Sequence, residues 1–233
     1  MLKRLCCFLF LLITLKSFAQ KNVTTVGIQY KPIFPVSFLG SGNITSTFQN
    51  VTIVNGLHSG YSAGLIIRKG ISDLISIETG INYVRRKYDL QISDGNFNGS
   101  SSYRVISYEI PVTFMVYARM FENIYMNGSL GPSVNMYPSS LATYDYYFTH
   151  VAIRNHIIIP AVTANLGWEF RTEKSGYIYL GASFQRPFQY IFTSQVNYKY
   201  RGKDFILAER LSGSYLTIDL RYYFHEESKK PLR

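Results

Sequence analysis

The chain has 233 residues, of which 47% are hydrophobic and only 16% are charged, and its formal net charge is +10. Because an ordinary soluble domain has about 25% charged residues, this composition argues against a disordered or highly solvated chain. The basic balance argues against an acid-rich calcium module and is compatible with phosphate-bearing partners.

Residues 1–19 have the pattern of a secretory signal peptide. Two cations precede an apolar segment, residues 5–15, which is shorter than the roughly 20 residues of a membrane-spanning helix. The small residues Ser17 and Ala19 predict cleavage before Gln20, and the alternative is a short membrane anchor. Cleavage would remove both cysteines, so the exported chain would have neither a disulfide framework nor a cysteine-based metal site.

The rest of the chain contains eight segments in which apolar and polar residues alternate with the period of a β-strand. They are 23–31, 57–68, 74–88, 103–118, 124–136, 157–170, 177–186 and 213–224. In the first segment Val26 and Ile28 share one face and Gly27 the other. In the second segment the same alternation puts Leu57 on the apolar face and His58 on the polar face.

The connections between these segments alternate between short and long. The short ones are near 69–73, 119–123 and 171–176, and the long ones are near 32–56, 89–102, 137–156 and 187–210. This alternation indicates an antiparallel meander whose two ends face different environments. We therefore predict one domain, residues 20–224, with both termini in the periplasm and four long loops outside. Segments 144–151 and 188–200 leave ten strands as an alternative.

Two architectures fit such alternation. A soluble sandwich or barrel buries its apolar faces, whereas a membrane barrel turns them outward toward lipid. Three features favour an eight-stranded antiparallel transmembrane β-barrel of the up-and-down type. The polar faces are rich in Gly, Ser and Asn, which suit a narrow lumen. The apolar faces are long enough for a tilted bilayer crossing, and they carry aromatic residues near strand ends, as a membrane interface favours: Tyr30, Tyr83, Trp168, Tyr222 and Phe224.

Charged residues on the polar faces lie near the short turns or the chain end. They are Arg68, Glu78, Glu169, Asp219 and Arg221. Because a charge removed from water needs a partner, we expect a salt-bridge cluster in the periplasmic half of the lumen. The alternative is that some of these groups are solvated charges at the rim.

A resemblance to a known family is carried by two short motifs. One is the segment Ser107-Tyr108-Glu109-Ile110-Pro111-Val112-Thr113-Phe114, and the other is Gly128-Ser129-Leu130-Gly131-Pro132-Ser133. The chain resembles the PorT-like outer-membrane β-barrel domains of Gram-negative bacteria, which show a Y-x-E-I-P strand and a following strand with a Gly-Pro pair. This resemblance implies a location in the outer membrane. Some members of the family are linked to protein secretion, so secretion is one possible role here.

The last strand has a further resemblance to outer-membrane barrels, which close with a strand carrying alternating apolar residues and a terminal aromatic. By this resemblance Leu220, Tyr222 and Phe224 form the signal recognised by the barrel-assembly machinery. Residues 225–233 have no strand pattern, so we predict a polar periplasmic tail, with a partner-binding handle as the alternative.

No catalytic, cofactor or metal site is predicted. His58 and Ser62 share a polar face, but at roughly 3.3 Å per residue they are about 13 Å apart, too far for a serine–histidine pair. His150 and His156 lie in or beside a long loop downstream of Ser139 and Ser140, where geometry is unreadable from sequence. There is no metal-ligand spacing, P-loop or dinucleotide fingerprint.

The expected partners follow from the predicted location. They are outer-membrane lipid, lipopolysaccharide, the assembly machinery and envelope or secretion proteins, whereas nucleic acid is not expected. Basic residues of the last long connection could bind lipopolysaccharide phosphates or could belong to a solvated loop: Lys199, Arg201, Lys203 and Arg210. We predict a structural or interaction barrel that acts through its loops. The alternatives are an accessory part of a secretion or envelope-assembly machine, a lipid-modifying enzyme and a small-solute pore.

Overall fold

The computed structural model of the chain describes residues 23–37, 42–72, 74–145, 148–172, 175–200 and 203–225, with only the backbone for residues 199, 200, 203 and 204. The predicted signal peptide and the tail residues 226–233 lie outside this part. Within the described residues, no helix is long and apolar enough to span a membrane. The strands are β1 (Thr24–Phe34), β2 (Ile44–Phe48), β3 (Val51–Gly70), β4 (Ile75–Ser93), β5 (Asn98–Arg119), β6 (Ile124–Met136), β7 (Leu141–Tyr144), β8 (Phe148–Arg154), β9 (Ile158–Arg171), β10 (Tyr177–Pro187), β11 (Phe192–Tyr200), β12 (Lys203–Leu211) and β13 (Tyr215–Tyr223).

Eight of these strands close into an antiparallel barrel. Their order is β1-β3-β4-β5-β6-β9-β10-β13, and β13 pairs back onto β1, where Gly27 lies opposite Tyr223. These are the eight segments found by alternation, so the prediction of an eight-stranded antiparallel meander is confirmed. The start of β1 and the end of β13 lie at the end of the barrel that carries the short turns. In outer-membrane barrels that end faces the periplasm.

The outside of the barrel is an apolar belt. Its side chains remain about half exposed, including Val26, Ile28, Leu65, Ile81, Val112, Phe114, Leu130, Leu166, Leu180 and Leu220. An apolar surface that encircles a protein is far larger than the patches of a soluble monomer. The belt is therefore the lipid-facing surface of a membrane barrel, and the soluble alternative is excluded.

Aromatic side chains lie at both edges of this belt. On the side of the long connections, one tyrosine from each of β1, β3, β4 and β5 forms a row with ring centres 6.0 to 6.2 Å apart, namely Tyr30, Tyr61, Tyr83 and Tyr108. Near the short turns, Tyr222 and Phe224 pack edge to face at 5.4 Å, and Trp168 is half exposed. These positions match the amphipathic interface of a bilayer.

A bulge in β3 reverses the faces predicted at its upper end. Leu57 pairs with Tyr88, but Ser59 pairs with Lys87, so one extra residue lies between them. Leu57 therefore points inward and is 4% exposed, whereas the side chain of His58 is 57% exposed. The predicted faces of these two residues were wrong, because alternation was counted through a bulge that the sequence does not announce.

The long connections are not irregular loops, which corrects the sequence interpretation. Strands β7, β8, β11 and β12 form a separate sheet in the order β12-β11-β8-β7, and β2 pairs with the upper part of β3. This sheet and the upper halves of β3, β4 and β5 enclose a hydrophobic core that includes Ile53, Leu90, Phe148, Phe192 and Val196. We call this unit the cap. Its strands cover segments 144–151 and 188–200, so these segments do not add a ninth and tenth strand to the barrel.

The exposed ring of Phe224 gives a test of the predicted assembly signal. Phe224→Asp removes an interfacial aromatic and places a charge against lipid. We expect a sharp fall in the fraction of protein that shows heat-modifiable mobility on unboiled gels. A chain lacking residues 226–233 is the control and should assemble normally. If the truncated chain failed to assemble while Phe224→Asp did not, the predicted assembly signal would be wrong.

Candidate functional site

A cluster of paired charges fills the lumen near the short turns. At its centre is Glu78 of β4, which is 6% exposed. Its Oε1 accepts a hydrogen bond from Nη1 of Arg221 at 2.6 Å, and its Oε2 accepts bonds from Nε of Arg68 at 3.3 Å and the hydroxyl of Tyr223 at 2.5 Å. Arg68 also donates from Nη1 to Glu169 at 2.5 Å. The cluster thus joins β3, β4, β9 and β13 across the lumen.

Asp219 of β13 extends the cluster upward. Its Oδ2 accepts a hydrogen bond from Nη2 of Arg221 at 2.6 Å and lies 3.2 Å from Nζ of Lys31. The Ser183 hydroxyl and the amide of Asn165 donate to the same oxygen at 2.5 and 3.1 Å. A buried carboxylate needs this number of donors, because desolvation of an unpaired charge is costly.

The structure brings together all five residues expected in the lower lumen, namely Arg68, Glu78, Glu169, Asp219 and Arg221, and each is less than a tenth exposed. Sequence reasoning missed two cations of the same cluster, Lys31 and Arg171. Nε of Arg171 donates to Oε1 of Glu169 at 2.6 Å. Both cations continue the inward alternation of their strands by one step, beyond Gln29 and Glu169. Following the alternation to the strand ends would have found them.

Tyrosine rings pack on the guanidinium groups of the cluster. Cζ of Arg68 lies 3.8 Å from the centre of the Tyr223 ring, and Cζ of Arg171 lies 4.0 Å from that of Tyr125. Such cation–π contacts strengthen when water is excluded. The rings therefore both stabilise the cations and fill the space between them, which closes the lumen at this level.

The first family motif lies in the barrel wall above this cluster. Tyr108 and Ile110 face lipid and are 40% and 43% exposed, whereas Glu109 is 4% exposed and faces the lumen. Oε2 of Glu109 accepts a hydrogen bond from the hydroxyl of Tyr215 at 2.6 Å. The carbonyl oxygen of Pro111 accepts a hydrogen bond from the hydroxyl of Thr79 on the neighbouring strand β4 at 2.8 Å. The motif thus holds one carboxylate inside the barrel.

The second motif lies on β6, the strand that pairs with the C-terminal half of β5 and so lies next to the first motif. A Cβ atom on Gly131 would collide with the backbone oxygen of Val112, so this position requires glycine, whereas one on Gly128 would meet no atom closer than 3.7 Å. The ladder between β5 and β6 lapses at Val112 and Thr113, opposite Gly131 and Pro132. Proline has no N–H to donate to a ladder. Where the two motifs meet, β5 and β6 therefore lie close together but are not paired by a continuous backbone ladder.

The lumen is closed again below the cap by Arg86, which is fully buried. Its guanidinium donates hydrogen bonds to the Gly213 carbonyl oxygen at 2.9 Å, the Ser107 hydroxyl at 3.0 Å and the Tyr137 hydroxyl at 3.1 Å. Between this plug and the charge cluster is a polar cavity of about 30 Å³. Since one water needs roughly 10–15 Å³ of such volume, the cavity is too small for a solute.

A second polar cluster lies in the core of the cap. Nε2 of His150 is 2.9 Å from the Ser194 hydroxyl, which accepts a hydrogen bond from Nδ2 of Asn55 at 3.0 Å. The Tyr103 hydroxyl donates to Oδ1 of Asn55 at 2.9 Å, and its ring centre is 4.4 Å from that of His150. The four side chains thus form one connected polar network in a core that consists mainly of apolar residues.

This histidine–serine pair was not predicted. In sequence the serines upstream of His150 are Ser139 and Ser140, but β8 and β11 become neighbours only in the cap sheet, where His150 lies opposite Val196. A neutral imidazole beside a hydroxyl can accept its proton. Here, however, His150 and Ser194 are each 1% exposed, so the hydroxyl is closed to a substrate. Burial also lowers the pKa of His150 to about 4.

The other residues considered for catalysis by sequence, His58 and Ser62, do not form a pair. His58, which the bulge turns outward, has its Nδ1 atom 3.0 Å from Oδ2 of Asp89, whereas Ser62 is buried in the lumen. Among the described residues, no three His, Cys, Asp or Glu side chains are grouped as metal ligands would be.

Comparison with known proteins gives a fold but no family. No protein-family model and no curated protein matches the chain. It is similar to the outer membrane protein OprG from Pseudomonas aeruginosa, with 11% identity, 88% of this chain and 97% of that chain covered, and a TM-score of 0.56. The fold is therefore that of an outer-membrane β-barrel. The predicted location in the outer membrane is supported by this fold and by the apolar belt.

Two further solved structures match at lower TM-scores. The translocator domain of the autotransporter NalP from Neisseria meningitidis has 10% identity, covers 96% of this chain and 95% of its own, and has a TM-score of 0.39. The outer membrane protease OmpT from Escherichia coli has 8% identity, covers 89% and 98%, and has a TM-score of 0.30.

The lumen cluster predicts a large effect from one neutralised carboxylate. In Glu78→Gln, Arg68 and Arg221 lose a charged partner while remaining buried, which costs roughly 3–5 kcal/mol in comparable pairs. We expect the free energy of unfolding, measured with urea in detergent micelles, to fall by that order. Glu122→Gln, in an exposed turn, is the control and should be neutral. Equal stability of both variants would contradict a buried, paired cluster.

The cap cluster predicts a pH dependence. Because burial lowers the pKa of His150 to about 4 from an ordinary 6.5, the unfolded cap takes up this proton first as pH falls. The contribution of His150 should therefore destabilise the cap progressively as the pH falls from about 6.5 to about 4. Burial raises the pKa of Glu209, opposite Ser194 in the ladder, and this carboxyl contributes with the opposite sign.

His150→Gln separates the two contributions, because Glu209 is present in both proteins. Hydrogen exchange of the amides of β8 and β11 should show the wild type losing protection relative to His150→Gln as the pH falls through this window. If the difference between the two proteins did not change with pH, His150 would not be a buried neutral group.

Proposed function

We propose that the protein is a closed, non-enzymatic outer-membrane barrel that acts by presenting its cap to partners outside the cell. The observation that carries this proposal is the double closure of the lumen, by the charge cluster around Glu78 and by the buried guanidinium of Arg86. A narrow eight-stranded barrel filled in this way offers no path for a solute. Its function therefore depends on its outer surfaces.

The cap has the character of an interaction surface. Large apolar side chains lie exposed on it, away from the lipid belt, with Tyr144 at 78% and Ile206 at 69% exposure. These residues belong to β7 and β12, the two edges of the cap sheet, each of which pairs with a single strand within the described residues. Exposed apolar residues and open edges are features through which proteins bind extended or apolar segments of other proteins.

The proposal does not include catalysis, because the hydroxyl of Ser194, which lies 2.9 Å from Nε2 of His150, is enclosed in the cap core. The PorT-like resemblance supports a narrower version, in which the partner is an envelope or secretion protein. It rests on the Tyr108–Pro111 and Gly128–Pro132 motifs, of which Glu109 and Gly131 have defined roles in the barrel wall.

A site-specific photo-crosslinker tests the proposal in intact cells. Placed at Tyr144 on the edge of the cap, it should give discrete protein adducts, because this residue projects into the exterior. The matched control carries the crosslinker at Glu122, in a short turn at the opposite end, and should not give the same adducts. Adducts at Glu122 with none at Tyr144 would contradict the proposal, as would stepwise ion conductance of the folded protein in planar bilayers.

A further inference from the structure

Three basic side chains face outward where the apolar belt of β4 and β5 ends. Arg85 and Lys87 follow Tyr83 on the outer face of β4, and Lys87 lies directly opposite Arg104 of β5 in the ladder. Cβ atoms of directly opposed residues are about 4.5–5.5 Å apart, and next neighbours on one face are about 7 Å apart. The three side chains therefore form one patch, which we call the basic triad.

The triad lies at the height of lipid headgroups. Arg85 is ten residues beyond Ile75, the first outward-facing residue of β4. At about 3.4 Å per residue and a strand tilt of about 40°, this distance is about 25 Å along the membrane normal. The apolar band of an outer-membrane barrel is also about 25 Å tall. The triad thus begins where the hydrocarbon ends on the side of the cap.

Within the protein the charge of the triad is only partly compensated. Nζ of Lys87 lies 3.6 Å from Oδ1 of Asp89, but Oδ2 of that carboxylate is already 3.0 Å from His58. Among the described residues, no carboxylate lies within ion-pair distance of Arg85 or Arg104. Two cations directly opposite each other are unfavourable in a sheet, so an anion between them would stabilise the arrangement.

The surface beside and below the triad is apolar and aromatic. Tyr61 lies opposite Arg85, and Tyr83 and Tyr108 form a pair one step lower with ring centres 6.0 Å apart. Below them, Ile81 and Ile110 continue the lipid-facing belt. A ligand that contacts both surfaces has a phosphorylated head and acyl chains, whereas a free phosphate ion would use only the upper one.

We propose that Arg85, Lys87 and Arg104 bind the phosphate groups of a lipid of the outer leaflet, in the manner expected for lipopolysaccharide. Guanidinium groups donate paired, charge-assisted hydrogen bonds to phosphate oxygens, and the acyl chains lie along β4 and β5 beneath the tyrosine row. This site uses none of the basic residues of the last long connection, and it is independent of the cap's proposed role. A lipid held here would fix the height of the barrel in the membrane.

Native mass spectrometry of the full chain in detergent tests the site, with bisphosphorylated lipid A and its dephosphorylated form as probes. The double variant Arg85→Gln/Arg104→Gln should bind phosphorylated lipid A about tenfold more weakly or worse, since a hydrogen bond to a charged group contributes about 1.4 kcal/mol or more. The dephosphorylated form should bind the wild type as weakly as the phosphorylated form binds the variant. Heat-modifiable mobility verifies that the variant is folded.

Arg186→Gln is the matched control for the single change Arg104→Gln. Arg186 also faces outward, but its partner in the ladder is Val162 rather than a cation. The control should bind as the wild type does, whereas Arg104→Gln should bind more weakly. Equal losses in both variants, or equal binding of the two forms of lipid A, would overturn the proposal. Displacement of lipid A by millimolar inorganic phosphate would also overturn it, since it would indicate a site for the free ion.

Discussion

Backbone groups inside a bilayer have no water to bond, and the pairing of β13 with β1 is the contact that meets this constraint here. Without it, the N–H and C=O groups of two long strands would face hydrocarbon, at a cost of several kcal/mol for each unsatisfied group. Closure at eight strands also fixes the diameter of the barrel. The width of the lumen, and therefore what can occupy it, follows from this one pairing.

A lumen of this width is filled by side chains, and in this protein many of these side chains are charged. Arg68, Glu78 and Arg221 are buried, yet each has an opposite charge within 3.3 Å, which is the condition under which buried charge is tolerated. Their bonds connect strands that are far apart in the chain. The cluster therefore acts as a crosslink through the centre of the barrel and at the same time as its lower plug.

The interior of the cap, above the membrane, is filled mainly by apolar side chains and not by paired charges. There two of the four long connections pair with each other into a second sheet, and the cap buries mainly apolar residues, with Phe192 and Leu90 in its core. Within this core, the side chains of Asn55, Ser194 and Tyr103 are joined by hydrogen bonds to one another. A membrane barrel and a small water-exposed β-domain thus share the long strands β3, β4 and β5, which belong to both.

Sequence alone determined the barrel, because a strand that separates lipid from lumen must alternate with a period of two. The same alternation predicted that Arg68 and Glu78 point into the lumen, although it did not give the individual contacts between them. It would also have included Lys31 and Arg171 if it had been followed to the strand ends. What only the tertiary structure decided depends on contacts between distant segments. The bulge at His58, the pairing of His150 with Ser194 and the folding of the long connections into a cap arise from strand neighbours that no local pattern encodes, since register and sheet order are set by packing across the whole chain.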